Sequence, residues 1–314
     1  MDTDQAITQA GNECPENMRP LLTSEGPLTL DRPPMFPDGA SEQDIESSAS
    51  LFIFKHDRNL ALRLISVINK QLEGRERLID LGVGYGFIAK SLKETFGFRE
   101  ALGIDEDENR LEVARGRGIK AYQLDLENDP LPFSDQTADL ATSFGLLNYF
   151  KSYDNLLSET NRVLKLGGVF ALSVPNLGWW VNRVSLGLGY QPPNISVSMK
   201  HTVGMPSFYP RQKPTKYIHT VTLRALRELL EKYGFKTVRV FGGREPSYDE
   251  IRNRIARGFV KTTDRILSRS VGLSVRLFIV SKKIGHTEQN QSSLEPSITS
   301  SLNLPTLGRP QHRQ

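Results

Sequence analysis

Short apolar runs that end in a polar residue alternate along the middle of this chain with stretches in which apolar residues recur at helical spacing. After the first run, Ile88, Leu92 and Phe96 follow at four-residue intervals and form one apolar stripe. The runs are residues 77–80, 101–105, 120–125, 138–143 and 169–174. This alternation predicts a doubly wound α/β fold, with a mainly parallel sheet and helices on both faces.

The pattern continues at both ends of this region. A helix is predicted within residues 51–72, an amphipathic helix over 222–233, a sixth strand over 236–241, a helix over 249–268 and a last strand over 275–281. About forty residues after the fifth strand interrupt the alternation, which is longer than the usual connection. We interpret residues 175–220 as an insertion that caps a substrate site.

A glycine-rich turn follows the first strand, with the pattern Asp80-x-Gly82-x-Gly84-x-Gly86. Glycine permits unusual dihedrals and removes side-chain bulk, so a ligand can lie against bare backbone at the start of the next helix. The spacing differs from the G-x-G-x-x-G of dinucleotide sites. Asp80 would repel a pyrophosphate but suits a cationic ligand. Turns in unrelated folds also use glycine for conformational reasons alone.

Two further acids stand at strand ends. Asp105 ends the second run, where a carboxylate can accept hydrogen bonds from ribose hydroxyls, and Asp125 ends the third, where it can accept from the exocyclic amine of adenine. Taken singly, such aspartates more often cap a helix or a turn. Acids at the ends of three successive strands favour a ligand site, because ligands of open α/β sheets bind there.

The chain resembles the class I S-adenosylmethionine-dependent methyltransferases, and the resemblance covers residues 51–283. It rests on the glycine turn and acids described above, on the segment 139–149 and on the turn 164–168. The resemblance implies a Rossmann-like seven-stranded sheet whose last strand is antiparallel, and S-adenosylmethionine as the cofactor. The residues that it implies for cofactor binding are Asp80, Gly82, Gly84, Gly86, Asp105, Asp125, Leu126 and Phe144. In this scheme the glycine turn holds the methionine part, Asp105 binds the ribose, and Asp125 and Leu126 bracket the adenine. Val83 stands where many relatives have cysteine.

The resemblance also implies an activity, which is methyl transfer to an oxygen or nitrogen atom of a small-molecule acceptor such as a sugar, a quinone or a lipid-like metabolite. An acceptor that must lose a proton needs a general base. His201, Tyr209 and His219 of the insertion are the predicted catalytic residues. Alternatively, Trp179 and Trp180 anchor a small satellite core, and His219 caps the next helix.

Composition separates the ends of the chain from its body. Residues 1–50 carry ten acids and two bases, so the net charge of +4 for 314 residues leaves +12 on the rest. We expect residues 1–50 and 285–314 to be disordered, polar tails around a domain over 51–284. One cysteine, Cys14, excludes an intramolecular disulfide and a structural zinc cluster, and no metal site is predicted. We found no targeting or transmembrane segment and expect a cytoplasmic protein.

Three alternatives remain. The basic body could favour nucleic acid, but basic and aromatic residues do not interleave as in an RNA-binding module. A nicotinamide-dependent oxidoreductase is disfavoured by the glycine spacing and by Asp80. A non-catalytic S-adenosylmethionine-binding or interaction protein would keep the same fold and the same acids. No feature of the sequence indicates an oligomeric state.

Overall fold

A seven-stranded sheet forms the centre of the computed structural model, which describes residues 39–198, 200–205, 217–244, 248, 251 and 254–285. The strands are β1 (Arg77–Leu81), β2 (Glu100–Asp105), β3 (Lys120–Gln123), β4 (Ala138–Phe144), β5 (Leu164–Pro175), β6 (Phe235–Gly243) and β7 (Arg276–Lys283). Their order in the sheet is β3-β2-β1-β4-β5-β7-β6. Strands β1 to β5 are parallel, and β7 is antiparallel to both β5 and β6. The predicted fold class is confirmed.

Helices cover both faces of this sheet. They are α1 (Glu42–Ser47), α2 (Ala49–His56), α3 (Arg58–Gln71), α4 (Phe87–Phe96), α5 (Glu108–Gly116), α6 (Asp154–Val163), α7 (Trp180–Gly187), α8 (Leu223–Lys232) and α9 (Arg254–Leu267), with short 3-10 turns at Leu147–Tyr149 and Val271–Leu273. Within the described part of the chain, no helix is both long enough and apolar enough to cross a membrane.

Alternate residues of the central strands pack into two cores, one on each face. Leu78 of β1 joins the core under α2 to α4, whereas its neighbour Ile79 joins the core under α6 and α8. A strand that is buried on both faces has no polar alternation, which explains the continuous apolar runs in the sequence. The strand order reverses between β1 and β4, and ligands of doubly wound sheets bind at this point, outside the carboxyl ends of the strands.

The insertion after β5 contains a third, smaller core. Trp179 and Trp180 pack against Val260 and Leu267 of α9, and Trp180 Nε1 donates a hydrogen bond of 2.7 Å to Asp264. The satellite-core interpretation of the two tryptophans is therefore the one that the structure supports. Residues 206–216 of the predicted cap lie outside the described residues.

The expectation of disorder for residues 1–50 is wrong for residues 41–50. Ser41 accepts a hydrogen bond from the amide of Asp44, and the Asp44 carboxylate accepts one from the amide of Ser41, which together cap α1. Ser48 then caps α2. Asp57 caps α3, so the helix predicted within 51–72 is two helices that meet at this residue. Residues 1–38 and 286–314 lie outside the described part.

The Asp139 side chain links β4 to its two neighbours, β1 and β5, near the amino ends of these strands. Its carboxylate accepts hydrogen bonds from the amides of Glu76 and Arg77 at 2.9 and 3.1 Å, and from Lys165 Nζ at 2.7 Å. Hydrogen bonds to a charged group contribute about 1.5–3 kcal/mol each. We expect Asp139→Ala to lower the free energy of unfolding, measured in urea, by about 3 kcal/mol.

Asp135→Ala is the matched control. The side chain of Asp135 is 70% exposed and pairs with Arg162 at the surface. Such exposed pairs contribute about 0–1 kcal/mol. Equal losses in the two variants would contradict the role given to Asp139.

Candidate functional site

A cavity of about 530 Å³ opens at the carboxyl ends of β1, β2 and β4. Small-molecule sites commonly enclose roughly 300–1,000 Å³. Seven of the eight residues predicted to bind the cofactor line this cavity, namely Asp80, Gly82, Gly84, Asp105, Asp125, Leu126 and Phe144. The structure therefore brings together residues that are up to 64 positions apart in the sequence.

The glycine turn contributes bare backbone to the cavity wall. Gly84 has a φ of +52°, and a Cβ placed there would meet no atom within 4 Å. Gly86, the eighth predicted residue, is absent from the lining: a Cβ on it would lie 2.9 Å from Ala114 Cβ. Its φ of +80° and this close approach assign Gly86 to the packing of α4 on α5 instead.

Asp80 lies at the buried end of the wall. Its carboxylate is 3% exposed and accepts a hydrogen bond of 2.6 Å from Thr142 Oγ1. Burial raises the pKa of Asp80 to about 7, the hydrogen bond from Thr142 opposes the rise, and the charge of Asp105 adds to it. Near neutral pH this carboxyl therefore ionises readily when a positive charge approaches.

Asp105 connects the end of β2 to the glycine turn. Its Oδ2 accepts a hydrogen bond of 2.9 Å from the Gly84 amide, and its Oδ1 accepts one of 3.1 Å from the Asp107 amide. An ionised carboxylate has about four lone-pair positions, so two remain for a ligand. Asp105 thus orders the turn and keeps capacity to accept hydrogen bonds from the cavity.

Asp125 and Leu126 follow β3 and line the outer wall. Asp125 is exposed, and hydrogen bonds from Asn128 and from the Glu127 amide hold the pKa of its carboxyl below the ordinary value. Leu126 is buried beside it. On the opposite wall Phe144 contacts Phe54 edge to face, with ring centroids 6.0 Å apart. An apolar slot next to a charged acceptor suits a planar polar ring.

The predicted catalytic residues are not brought to this cavity. His201 and His219 are exposed and absent from the lining. His219 donates its backbone amide to the carbonyl of Asn148, and Thr222 caps α8 in its place. Tyr209 lies outside the described residues. The insertion was assigned to the acceptor from its composition, and composition does not determine which side chains face the sheet.

Helices α1 and α2 supply wall residues that the sequence analysis missed, because it took this segment as disordered. They are Asp44, Glu46, Ser47 and Ser48, and Leu51, within the segment predicted to be helical, lines the cavity as well. Arg117 donates to both carboxylate oxygens of Asp44, at 2.6 and 3.0 Å, and also to the Tyr85 carbonyl at 2.9 Å. Burial would raise the pKa of Asp44, but the hydrogen bonds from Arg117 and Ser41 hold it below its ordinary value. The pattern Ser41-x-x-Asp44 was the available signal for this helix.

Tyr149 also lines the cavity and was not among the predicted site residues. Its ring meets that of Tyr217 edge to face with centroids 5.6 Å apart. Burial, followed by the neighbouring Tyr217, raises the pKa of the Tyr149 phenol. The phenol therefore stays protonated at neutral pH and acts as a hydrogen-bond donor.

The charge of the wall selects the kind of ligand. Among the described lining residues there are seven acids and one base, Arg110. The acids are Asp44, Glu46, Asp80, Asp105, Glu106, Asp125 and Glu127. Such a wall favours cations and repels phosphates. No group of three or more His, Cys, Asp or Glu side chains in the described chain could hold a metal ion.

Comparisons with known proteins agree with this geometry. The family model described as a methyltransferase domain matches residues 79–172. Uncharacterized protein MJ1252 of Methanocaldococcus jannaschii is 26% identical over 191 residues, which are 59% of this chain and 72% of that protein. A demethylmenaquinone methyltransferase of Thermus thermophilus is 37% identical over 98 residues, which are 30% of this chain and 44% of that protein.

The share of each relative's length that aligns with this chain varies. The alignments span 30% and 56% of two further curated relatives. A solved S-adenosylmethionine-dependent methyltransferase of Mesorhizobium loti is 22% identical with a TM-score of 0.45, and the alignment covers 69% of this chain and 96% of that one. The family match, the confirmed strand order and the glycine turn beside Asp105 lead to one assignment. The chain carries a class I S-adenosylmethionine-dependent methyltransferase domain, a family whose cofactor is S-adenosylmethionine.

Proposed function

We propose that this protein transfers the methyl group of S-adenosylmethionine to an oxygen or nitrogen atom of a small-molecule acceptor. The observation that carries the proposal is the acidic cavity at the switch point of the sheet, where the Gly84 backbone is open and Asp105 retains free lone pairs. The residues fit this cofactor, because S-adenosylmethionine carries a sulfonium and an ammonium group and no phosphate.

The roles of the wall residues follow from their chemistry. The turn around Gly82 and Gly84 would hold the methionine part, with the Asp80 carboxylate balancing positive charge. Asp105 would accept hydrogen bonds from the ribose hydroxyls. Asp125 would accept from the adenine amine, and the adenine ring would lie against Leu126 and Phe144. All seven residues line the same cavity.

Methyl transfer requires little from the protein beyond the positioning of the acceptor. S-adenosylmethionine supplies a methyl group that is already activated by its sulfonium. The chain has to hold the acceptor in line and exclude water. Helices α1 and α2 cover the cavity, and Arg117 fixes α1 to the glycine turn through Asp44 and the Tyr85 carbonyl. This cover is suited to keeping water out.

The acceptor is assigned by class only. Relatives are named ubiquinone/menaquinone biosynthesis C-methyltransferase and sarcosine/dimethylglycine N-methyltransferase, so the atom methylated differs among them. None of the three histidines that the structure describes, His56, His201 and His219, lines the cavity. An acceptor that ionises by itself, such as a carboxylic acid or an acidic phenol, would need no histidine as general base.

The first experiment is calorimetric titration with S-adenosylmethionine, S-adenosylhomocysteine and NAD. We expect micromolar binding of the first two and none of NAD, whose phosphates face the seven acids of the wall. Transfer of radiolabelled methyl groups to a panel of small molecules then separates an enzyme from a non-catalytic binding protein. Binding of NAD alone would refute the proposal.

Asp105→Ala should weaken S-adenosylmethionine binding by about 10- to 100-fold. The substitution removes charge-assisted hydrogen bonds, each of roughly 1.5–3 kcal/mol, and releases the Gly84 amide. Calorimetry measures the change. Glu112→Ala on the exposed face of α5 is the control and should bind like the wild type. Equal affinity of the Asp105 variant would remove this residue from the site.

Binding of S-adenosylmethionine should strengthen as the pH rises from 6 to 8 and should release a proton near pH 7. The reason is that the pKa of Asp80 is about 7 in the ligand-free protein, and a cation favours the ionised carboxylate. Calorimetry in buffers that differ in ionisation enthalpy measures the proton release. Binding that does not depend on pH would contradict this assignment.

Asp80→Asn is the control for that experiment. The folded-state pKa of about 7 exceeds the ordinary value of 3.8, so Asp80 favours folding below about pH 4 and this contribution is lost as the pH rises through 7. The full difference corresponds to about 4 kcal/mol. The Asn variant should therefore gain stability relative to the wild type between pH 5 and pH 8, and its binding should release no proton.

A further inference from the structure

Arg276, the first residue of β7, is a buried cation without a carboxylate partner in the described chain. Arg276 is 4% exposed. Its Nη2 donates to the Tyr217 hydroxyl at 3.2 Å, while its Nη1 is buried with no hydrogen-bond partner among the described residues. Burying a charge without an opposite charge is costly, so a guanidinium in this state indicates a missing anion.

The free end of this guanidinium lies beside the cavity. Gly145 lines the cavity, and a Cβ placed on it would be 3.6 Å from Arg276 Nη1 and 3.5 Å from Ser50 Oγ. Gly145 has a φ of +86°, which a residue with a side chain rarely adopts. The lack of a side chain at this position leaves Nη1 close to the cavity wall.

Three further polar groups surround the same place. Asn148 is fully buried, and its side-chain Oδ1 and Nδ2 have no partner in hydrogen-bond geometry within the part of the chain that the structure describes. Its amide is nevertheless near enough to Tyr149 to lower the pKa of that phenol. The charge of Arg276 also acts on Tyr149, whose ring meets Tyr217. Arg276, Asn148, Tyr149 and Tyr217 form a group of donors, which we call the Arg276 cluster.

We propose that the Arg276 cluster binds an anionic group of the acceptor, either a carboxylate or a phosphate. This inference rests on the proposed function and specifies its substrate class. A guanidinium presents a rigid fork of donors that matches both anions, and the amide and the phenols add further donors. An acceptor anchored here extends from Arg276 past Gly145 into the cavity.

The position of the cluster argues against binding of the cofactor's own carboxylate. Arg276 lies on β7, whereas the glycine turn follows β1, and β4 and β5 separate the two strands. Three strand spacings amount to about 14 Å. The acids of the wall lie towards β1 and β2 and the unpaired cation lies at β7, so the site has a cationic acceptor end and an acidic cofactor end.

The test uses the full chain saturated with S-adenosylhomocysteine. Thermal unfolding is recorded with sodium benzoate, with inorganic phosphate and with the neutral analogue benzamide, at constant ionic strength. We expect benzoate or phosphate to raise the Tm of the wild type, and which of the two does so identifies the anion. Benzamide should have no such effect.

Arg276→Met removes the charge and keeps an unbranched side chain that fills part of the same space. We expect the ligand-free variant to be as stable as the wild type or more stable, because an apolar side chain replaces an uncompensated buried charge. It should lose the response to benzoate and phosphate and bind S-adenosylhomocysteine within about twofold of the wild type. Arg239→Met, on the exposed face of β6, is the control and should keep the response.

The outcomes separate this inference from the proposed function. Lack of S-adenosylhomocysteine binding by the wild type refutes the proposed function itself. Normal S-adenosylhomocysteine binding with no response of the wild type to either anion, or with equal responses of wild type and Arg276→Met, overturns the cluster. A tenfold loss of S-adenosylhomocysteine affinity in the variant would assign Arg276 to the cofactor and also overturn it. If the Met variant fails to fold, the neutral polar variant Arg276→Gln replaces it, and an undiminished anion response of the Gln variant would be the contradicting result.

Turnover gives a second readout. Pairs of acceptors that differ only in an anionic group, such as 4-hydroxybenzoate and 4-hydroxybenzamide, are tested with the radiolabelled methyl donor. We expect methylation of the acid in preference to the amide, and a rise in KM for the acid in Arg276→Met. Equal methylation of both members of every active pair would overturn the proposal.

Discussion

The hydrogen bond from the Gly84 amide to the Asp105 carboxylate is the contact on which the rest of the site depends. It joins the end of β2 to the glycine turn, and the amides of Gly82 and Val83 add two bonds to the Ile104 carbonyl, at 2.8 and 2.9 Å. The turn is therefore held to the neighbouring strand before any ligand arrives. A turn held in this way presents its amides and the start of α4 in one arrangement, which lowers the entropy cost of binding.

Charge in this molecule is separated along the carboxyl end of the sheet. Carboxylates concentrate around β1 to β3, where Asp80 is buried deeply enough that its pKa rises to about 7. At β7 the buried charge has the opposite sign and no carboxylate partner within the described residues. Both features cost stability in the ligand-free protein, and such costs are typical of sites whose missing charges are supplied by ligands.

The sequence predicted the sheet and three of the seven acids of the wall, Asp80, Asp105 and Asp125, because these depend on local signals. Strand runs, helical stripes and acids at strand ends are visible within a few residues, and parallel topology brings those ends to one edge. Composition was a poor guide for residues 41–50, where the reciprocal capping of Ser41 and Asp44 outweighs the acidic character of the segment. The positions of His201, Gly86 and Arg276 depend on contacts between distant segments. Arg276 lies at the start of the last predicted strand. No neighbouring residue in the sequence indicates that its charge is buried without a carboxylate partner among the described residues.

The helices that cover the cavity, α1 and α2, are linked to the glycine turn because the Arg117 guanidinium binds both α1 and the turn. Arg117 Nη1 donates to Asp44 of α1 and to the carbonyl of Tyr85 within the turn. Asp44 is 2% exposed and the Arg117 side chain 25% exposed, so their ion pair is partly shielded from solvent and screened less by salt than a fully exposed pair. Movement of α1 away from the cavity would break this pair and expose both the Tyr85 carbonyl and the turn to water. Opening of the cover therefore removes one contact of the turn while the bonds of the turn to β2 remain, and a ligand that contacts both α1 and the turn favours closure.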